Sequence, residues 1–102
     1  MKIKEYIKII NNIEEKNGNI TKLYFVWQAK DFDLWQEMDE KQQEKLIDYC
    51  YSYWLDEELL ENNIYNVMDV IFNNYCYNSD KIVKNIDTLT YKEFCNIINE
   101  NM

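Results

Sequence analysis

Apolar residues recur along this chain mostly at intervals of three and four, the spacing of one face of an α-helix. In residues 2–17, KIKEYIKIINNIEEKN, the positions are Ile3, Tyr6, Ile7, Ile10 and Ile13, and Gly18 stands where a glycine closes a helix. The segment can also be read as a strand, with Ile3, Ile7, Ile9 and Ile13 on one side and Asn17-Gly18 as a hairpin turn. Glu5 and Asn11 interrupt that alternation, so the helix is preferred. Residues 20–28, ITKLYFVWQ, are β-branched and aromatic and make the best strand candidate. A lone strand needs a partner from the N-terminal segment or another subunit; a helix capped by Thr21 is the alternative.

Residues 39–55, DEKQQEKLIDYCYSYWL, predict a helix that opens with a capping box, Asp39 followed three places later by Gln42. Leu46, Ile47, Tyr49, Cys50, Tyr51, Tyr53 and Trp54 cover well over half of its circumference, which is wider than the stripe a surface helix needs. Residues 63–77 predict an amphipathic helix. Ile64, Val67, Met68, Ile71, Phe72 and Tyr75 form one face, Asn66, Asp69 and Asn73 the other, and Asn62 or Asn63 caps it. Ser79 can begin a short helix through Ile86. A last helix, 91–100, has Thr90 and Glu93 as a capping box, Leu89 placed to pack on Phe94, and Tyr91, Phe94, Cys95 and Ile98 as its apolar face. The fold class expected is mainly α: a small bundle of four to five short helices, with or without one short β element around residues 20–28, in a single acidic domain over residues 1–102.

Composition fits that reading. The chain is 47% hydrophobic and 16% aromatic, too rich for a disordered acidic tail, and with no proline and one glycine it is poor in turn formers. Cys50, Cys76 and Cys95 are scattered and form no CxxC pair, and there is no histidine, so a zinc site of the usual type is not expected. Reduced, mostly buried thiols are expected instead. No stretch reaches the ~20 apolar residues of a membrane span, and MKIKEYIKII is too polar for a signal peptide, so a cytoplasmic protein is expected. All eleven basic residues are lysine and asparagine occurs fourteen times, a bias of AT-rich genomes such as those of low-GC bacteria and their phages.

Charge changes the picture most. Residues 31–61 hold eleven Asp or Glu and two Lys, a net of 2 − 11 = −9, while the whole chain carries −8. The same block holds Trp35, Trp54, Tyr49, Tyr51 and Tyr53. An acidic chain is a poor ligand for nucleic acid or anionic lipid, since both need phosphate neutralisation by Lys or Arg. It is steered towards basic partners instead. Glu40, Glu44 and Asp48 recur every four residues, about 6 Å apart along a helix. That row is sparser than the one charge per ~3.4 Å of a DNA strand. Mimicry of nucleic acid therefore requires Asp31, Asp33, Glu37 and the Asp56–Glu61 cluster to join it in space. Pairing of Lys41 and Lys45 with Glu37 and Glu44 would instead make an ordinary solvated helix face.

Catalytic chemistry is not expected. Without histidine there is no Ser-His or Cys-His nucleophile, and one glycine cannot build a phosphate-cradling loop. The carboxylates of Asp31 and Asp33, which point the same way if DFD is extended, and of Asp56, Glu57 and Glu58 could hold Mg²⁺ or Ca²⁺, but a solvated acidic surface is the simpler reading, and neither a metal nor a cofactor is expected. The leading functional expectation is a small acidic inhibitor that blocks the basic, nucleic-acid-handling surface of a host-defence enzyme, in the manner of anti-CRISPR and antirestriction proteins. Charge would come from Asp31, Asp33, Glu37, Glu40, Glu44, Asp48, Asp56, Glu57, Glu58 and Glu61, and anchoring from Trp35, Tyr49, Tyr53 and Trp54. The alternatives are an antitoxin or immunity-type binder of a basic toxin, and a helical homodimer or larger scaffold that buries the wide arc of helix 39–55 against a second copy.

Overall fold

The computed structural model describes residues 20–59, 63–72 and 78–101. Among them are six helices and no strand: α1 (Ile20–Ala29), α2 (Asp33–Glu37), α3 (Glu40–Asp56), α4 (Asn63–Phe72), α5 (Asn78–Ile82) and α6 (Tyr91–Asn101). The expected helical bundle is present. The readings made for residues 2–17, for Glu61 and Asn62, and for residues 73–77 fall outside the described residues.

The β element expected around residues 20–28 is helix α1. Its β-branched residues disfavour a helix by only a few tenths of a kcal/mol each. What decides is burial: Lys22, Phe25, Val26 and Ala29 are all buried, at spacings of three and four. Burying a side chain such as Phe25 or Val26 is worth roughly 1.5–3 kcal/mol. A strand would have put Phe25 and Val26 on opposite faces. The helix already includes Ile20, so Thr21 lies inside it rather than capping it.

After α1 the chain turns through extended Phe32 into the single turn and a half of α2, which the sequence pattern did not reveal. Phe32 stacks on Phe72 of α4, with centroids 4.7 Å apart, and Trp35 is fully buried. The Asp39 box then opens α3 as expected. The Gln42 N–H donates to Asp39 Oδ1 at 2.8 Å, and the Asp39 N–H donates to Gln42 Oε1 at 2.9 Å.

Ile64, Val67, Met68, Ile71 and Phe72 of α4 are buried as its pattern requires. The helix expected over 79–86 is shorter: α5 ends at Ile82. The Asn85 side chain takes the Asp80 carbonyl at 2.8 Å, and the Lys84 N–H goes instead to Ser79 O. An asparagine amide here competes with the helical ladder. In α6 the Thr90–Glu93 box is formed, and Phe94 and Ile98 are buried.

The four longer helices close a cycle. α1 packs on α3 and on α4, α6 packs on the same two, and α5 lies against α4 and α6. One continuous core runs through the cycle, from Phe25 and Trp35 through Leu46, Met68 and Ile86 to Phe94. Among the described residues no helix is long and apolar enough to cross a membrane.

Candidate functional site

α3 is 17 residues long, about 25 Å at the usual rise, and it organises the acidic residues into three groups. Asp31, Asp33, Glu37 and Asp39 are exposed along α2 and its flanks. Glu40, Glu44 and Asp48 run along α3, with Asp48 exposed and the other two half-buried. Asp56, Glu57 and Glu58 are exposed at its far end. Glu61 is outside the described residues. Asp31 and Asp33 do not share one side of an extended segment, because Asp33 is already in α2.

The middle row is not bare charge. Lys22 of α1 is buried, and its ammonium donates to Asp48 Oδ1 at 2.9 Å while lying 5.1 Å from the centroid of the Tyr51 ring. A lysine can be buried this way because its charge keeps a carboxylate and an aromatic face as partners. Asp48 is thereby part of the α1–α3 contact. On the other side of α3, Gln42 Nε2 donates to Asp87 Oδ2 at 3.0 Å, and Lys45 donates to the Asp87 carbonyl at 3.1 Å.

The far end of α3 is built differently. The Glu58 N–H bonds to Leu55 O, and the Leu59 N–H bonds to Trp54 O. These two bonds form a Schellman closure, which asks for a left-handed residue. Glu58 supplies it with φ 50, where glycine is the usual occupant. Three carboxylates also face the negative end of the helix dipole, an arrangement that costs about 0.3–1 kcal/mol per charge at low salt. Asp56 has one compensating bond: the Tyr91 hydroxyl donates to its Oδ2 at 2.5 Å. Burial first, and that bond second, push the Tyr91 hydroxyl well above the usual tyrosine range. Burial likewise raises Tyr53, helped by Glu57, and raises the Cys95 thiol, where Asp56 and Glu57 add to the effect.

The aromatic anchors expected from the sequence need correction. Trp35 is fully buried and Tyr53 is 3% exposed, so neither can reach a partner. Tyr53 donates to Asn99 Oδ1 at 2.7 Å, and half-buried Tyr49 donates to the Leu89 carbonyl at 2.6 Å. The wide apolar arc of α3 is used within the chain: Tyr49 and Tyr53 both pack on Phe94 of α6. Trp54 is half-buried, stacked against Tyr51. The large side chains that are exposed lie elsewhere: Trp27 at 59% and Tyr24 at 43% on the outer face of α1, with Tyr65 of α4 and Leu55 of α3. The strand reading hid the first two. Once Lys22, Phe25, Val26 and Ala29 are placed on one helical stripe, Tyr24 and Trp27 fall opposite it.

The Cys50 thiol is fully buried and pushed up by burial, Cys95 is half-buried, and among the described residues both are free thiols. Among the described residues no three His, Cys, Asp or Glu side chains are placed to hold a metal ion. An open depression of about 310 Å³ lies between α5 and α6, lined by Lys81, Thr88 and Glu93 among others. Compared with protein-family models, with curated proteins and with solved structures, the chain finds no match.

Proposed function

We propose that this chain is an acidic protein-binding inhibitor whose carboxylate-rich side occupies the basic, nucleic-acid-handling surface of a target enzyme, as phage and mobile-element proteins that counter host defence do. One observation carries the reading. The −9 of residues 31–61 is displayed largely as exposed carboxylates, at Asp31, Asp33, Glu37, Asp39, Asp56, Glu57 and Glu58. Ion pairing within the block would need about as many lysines, and it has two. Such a surface attracts a basic partner over a Debye length and selects against acidic ones. The charge is gathered at the two ends of α3 more than along its middle, so the reading is of two acidic patches bridged by a thinner row. A self-interface loses its motive, since the broad face of α3 that suggested it packs on α6.

The test uses matched charge reversals. Asp33→Lys with Glu37→Lys changes the acidic side, and Asp69→Lys with Glu100→Lys changes net charge equally elsewhere. All four positions are exposed. Wild-type protein captures its partner from a bacterial extract, mass spectrometry identifies it, and binding is then measured with purified partner. The first pair abolishes binding and the second does not, nucleic acid competes, and affinity falls steeply by about 0.5 M salt. Equal behaviour of the two pairs, or binding flat with salt, removes the reading.

A further inference from the structure

The outer face of α1 holds an arrangement that the chain also uses inside. Within the fold, the Lys22 ammonium sits over the Tyr51 ring and against Asp48 Oδ1. At the surface, the Lys30 ammonium sits 4.6 Å from the centroid of the Trp27 ring and 2.9 Å from Asp31 Oδ1. The chemistry is the same in both, one cation held between an aromatic face and a carboxylate. Their surroundings differ. The inner lysine side chain is 6% exposed, whereas Asp31 is 80% exposed and Trp27 59%, with Tyr24 one helical turn away at 43%. Trp27 is thus a large apolar surface left in water beside a carboxylate, with a cation of the chain's own resting on it.

From this we infer that Trp27, Tyr24 and Asp31 form the docking surface for an arginine-bearing segment of a basic protein, with Lys30 occupying the cation position until that segment displaces it. Charge decides the occupant. Asp31 is followed by Asp33 and Glu37 along the exposed side of α2, so the face meets a positively charged surface and repels an acidic one. Aromatic geometry decides the residue. A guanidinium stacks flat on an indole and still presents a fork to a carboxylate, which an ammonium cannot do. Exposed Trp and Tyr beside charge are also the side chains that dominate binding when a partner removes their water. The inference rests on the inhibitor reading and adds anchors to it in place of Trp35 and Tyr53.

The probes are nona-arginine and nona-lysine peptides, titrated into the full chain by calorimetry at low salt. Wild type binds the arginine peptide more tightly than the lysine peptide. Trp27→Ala weakens arginine-peptide binding by about five- to thirtyfold, the range of a cation–π contact from exposed to desolvated, and brings the two peptides together. Lys30→Ala removes the resident cation and strengthens binding more than Lys92→Ala, which changes net charge equally. Circular dichroism confirms that each variant is folded. If Trp27→Ala binds like wild type while Asp33→Lys with Glu37→Lys does not, this docking surface is overturned and the acidic reading survives. If wild type does not bind the arginine peptide, or no variant alters binding, both fall.

Discussion

At the first turn of α3 the Asp39 carboxylate accepts the Gln42 N–H, and the Gln42 side chain returns a bond to the Asp39 N–H. At its last turn, Asp56, Glu57 and Glu58 stand where the dipole is negative, and Glu58 holds a left-handed φ of 50. The same residue type stabilises one end of the helix and burdens the other. The first end is secured further by neighbours: Trp35 is fully buried beside it, and buried Gln43 donates to the Trp35 carbonyl at 2.8 Å. The second end depends on α6, through the Tyr91–Asp56 and Tyr53–Asn99 bonds. Acids that help a helix need no functional explanation. Acids kept where they cost stability invite one, and this is why the far cluster belongs in the proposed binding side.

Several changes test this contrast, the largest first. Trp35→Ala empties the core beside the secure end and should cost about 3–5 kcal/mol in denaturant unfolding; a loss below about 1 kcal/mol would mean that the first end is not anchored by packing. Alkaline pH acts on the other end. Tyr53, Tyr91 and Cys95 there, and buried Cys50 in the body of α3, hold their protons more tightly when folded. That stabilisation is complete below their unfolded values, about 8.5 for cysteine and 10 for tyrosine, and is lost as pH rises beyond them. Unfolding midpoints should therefore fall above about pH 9, and Tyr91→Phe should flatten the decline. An unchanged slope in that variant would exclude Tyr91 as a contributor.

Smaller effects refine the comparison at each cap. Asp39→Ala should destabilise by about 1 kcal/mol, the usual worth of an N-cap. Glu58→Gly should do the reverse and stabilise by about 1 kcal/mol, because glycine takes the left-handed C′ position without strain. A loss there would show that Glu58 makes a favourable contact. Glu57→Lys should add about 0.3–1 kcal/mol at low ionic strength, and the gain should vanish in high salt if it comes from the dipole.

Much of the fold could be read from spacing and caps. Asp39-x-x-Gln42 and Thr90-x-x-Glu93 announced two helix starts, and the stripe Ile64, Val67, Met68, Ile71 gave the buried face of α4. Segments failed where composition and periodicity disagreed. Residues 20–28 look β-branched, yet Lys22 takes a place in their buried stripe, and a buried lysine becomes legible only when Asp48 and Tyr51 are brought to it across 26 and 29 residues. Helix α2 has five residues, too few for a period to show. At the candidate site the carboxylates were visible, but which aromatics face water depends on where α6 lands. Tyr49 and Tyr53 go under it, and Trp27 does not.

The tyrosine bonds that tie α3 to α6 span 35 to 46 residues, from Asp56 to Tyr91 and from Tyr53 to Asn99. A ribosome therefore delivers both sides of α1's contacts with α3 and α4 well before it delivers the helix that covers Tyr49 and Tyr53. Until α6 emerges, the nascent chain carries a strip of aromatic surface without its lid. Closing so long a loop is the slow, entropically costly step of such a topology. A chain stalled at that point is the species most exposed to sticking to its neighbours. Like charges repel, so the net −9 of residues 31–61 works against such sticking before the cycle of helices closes.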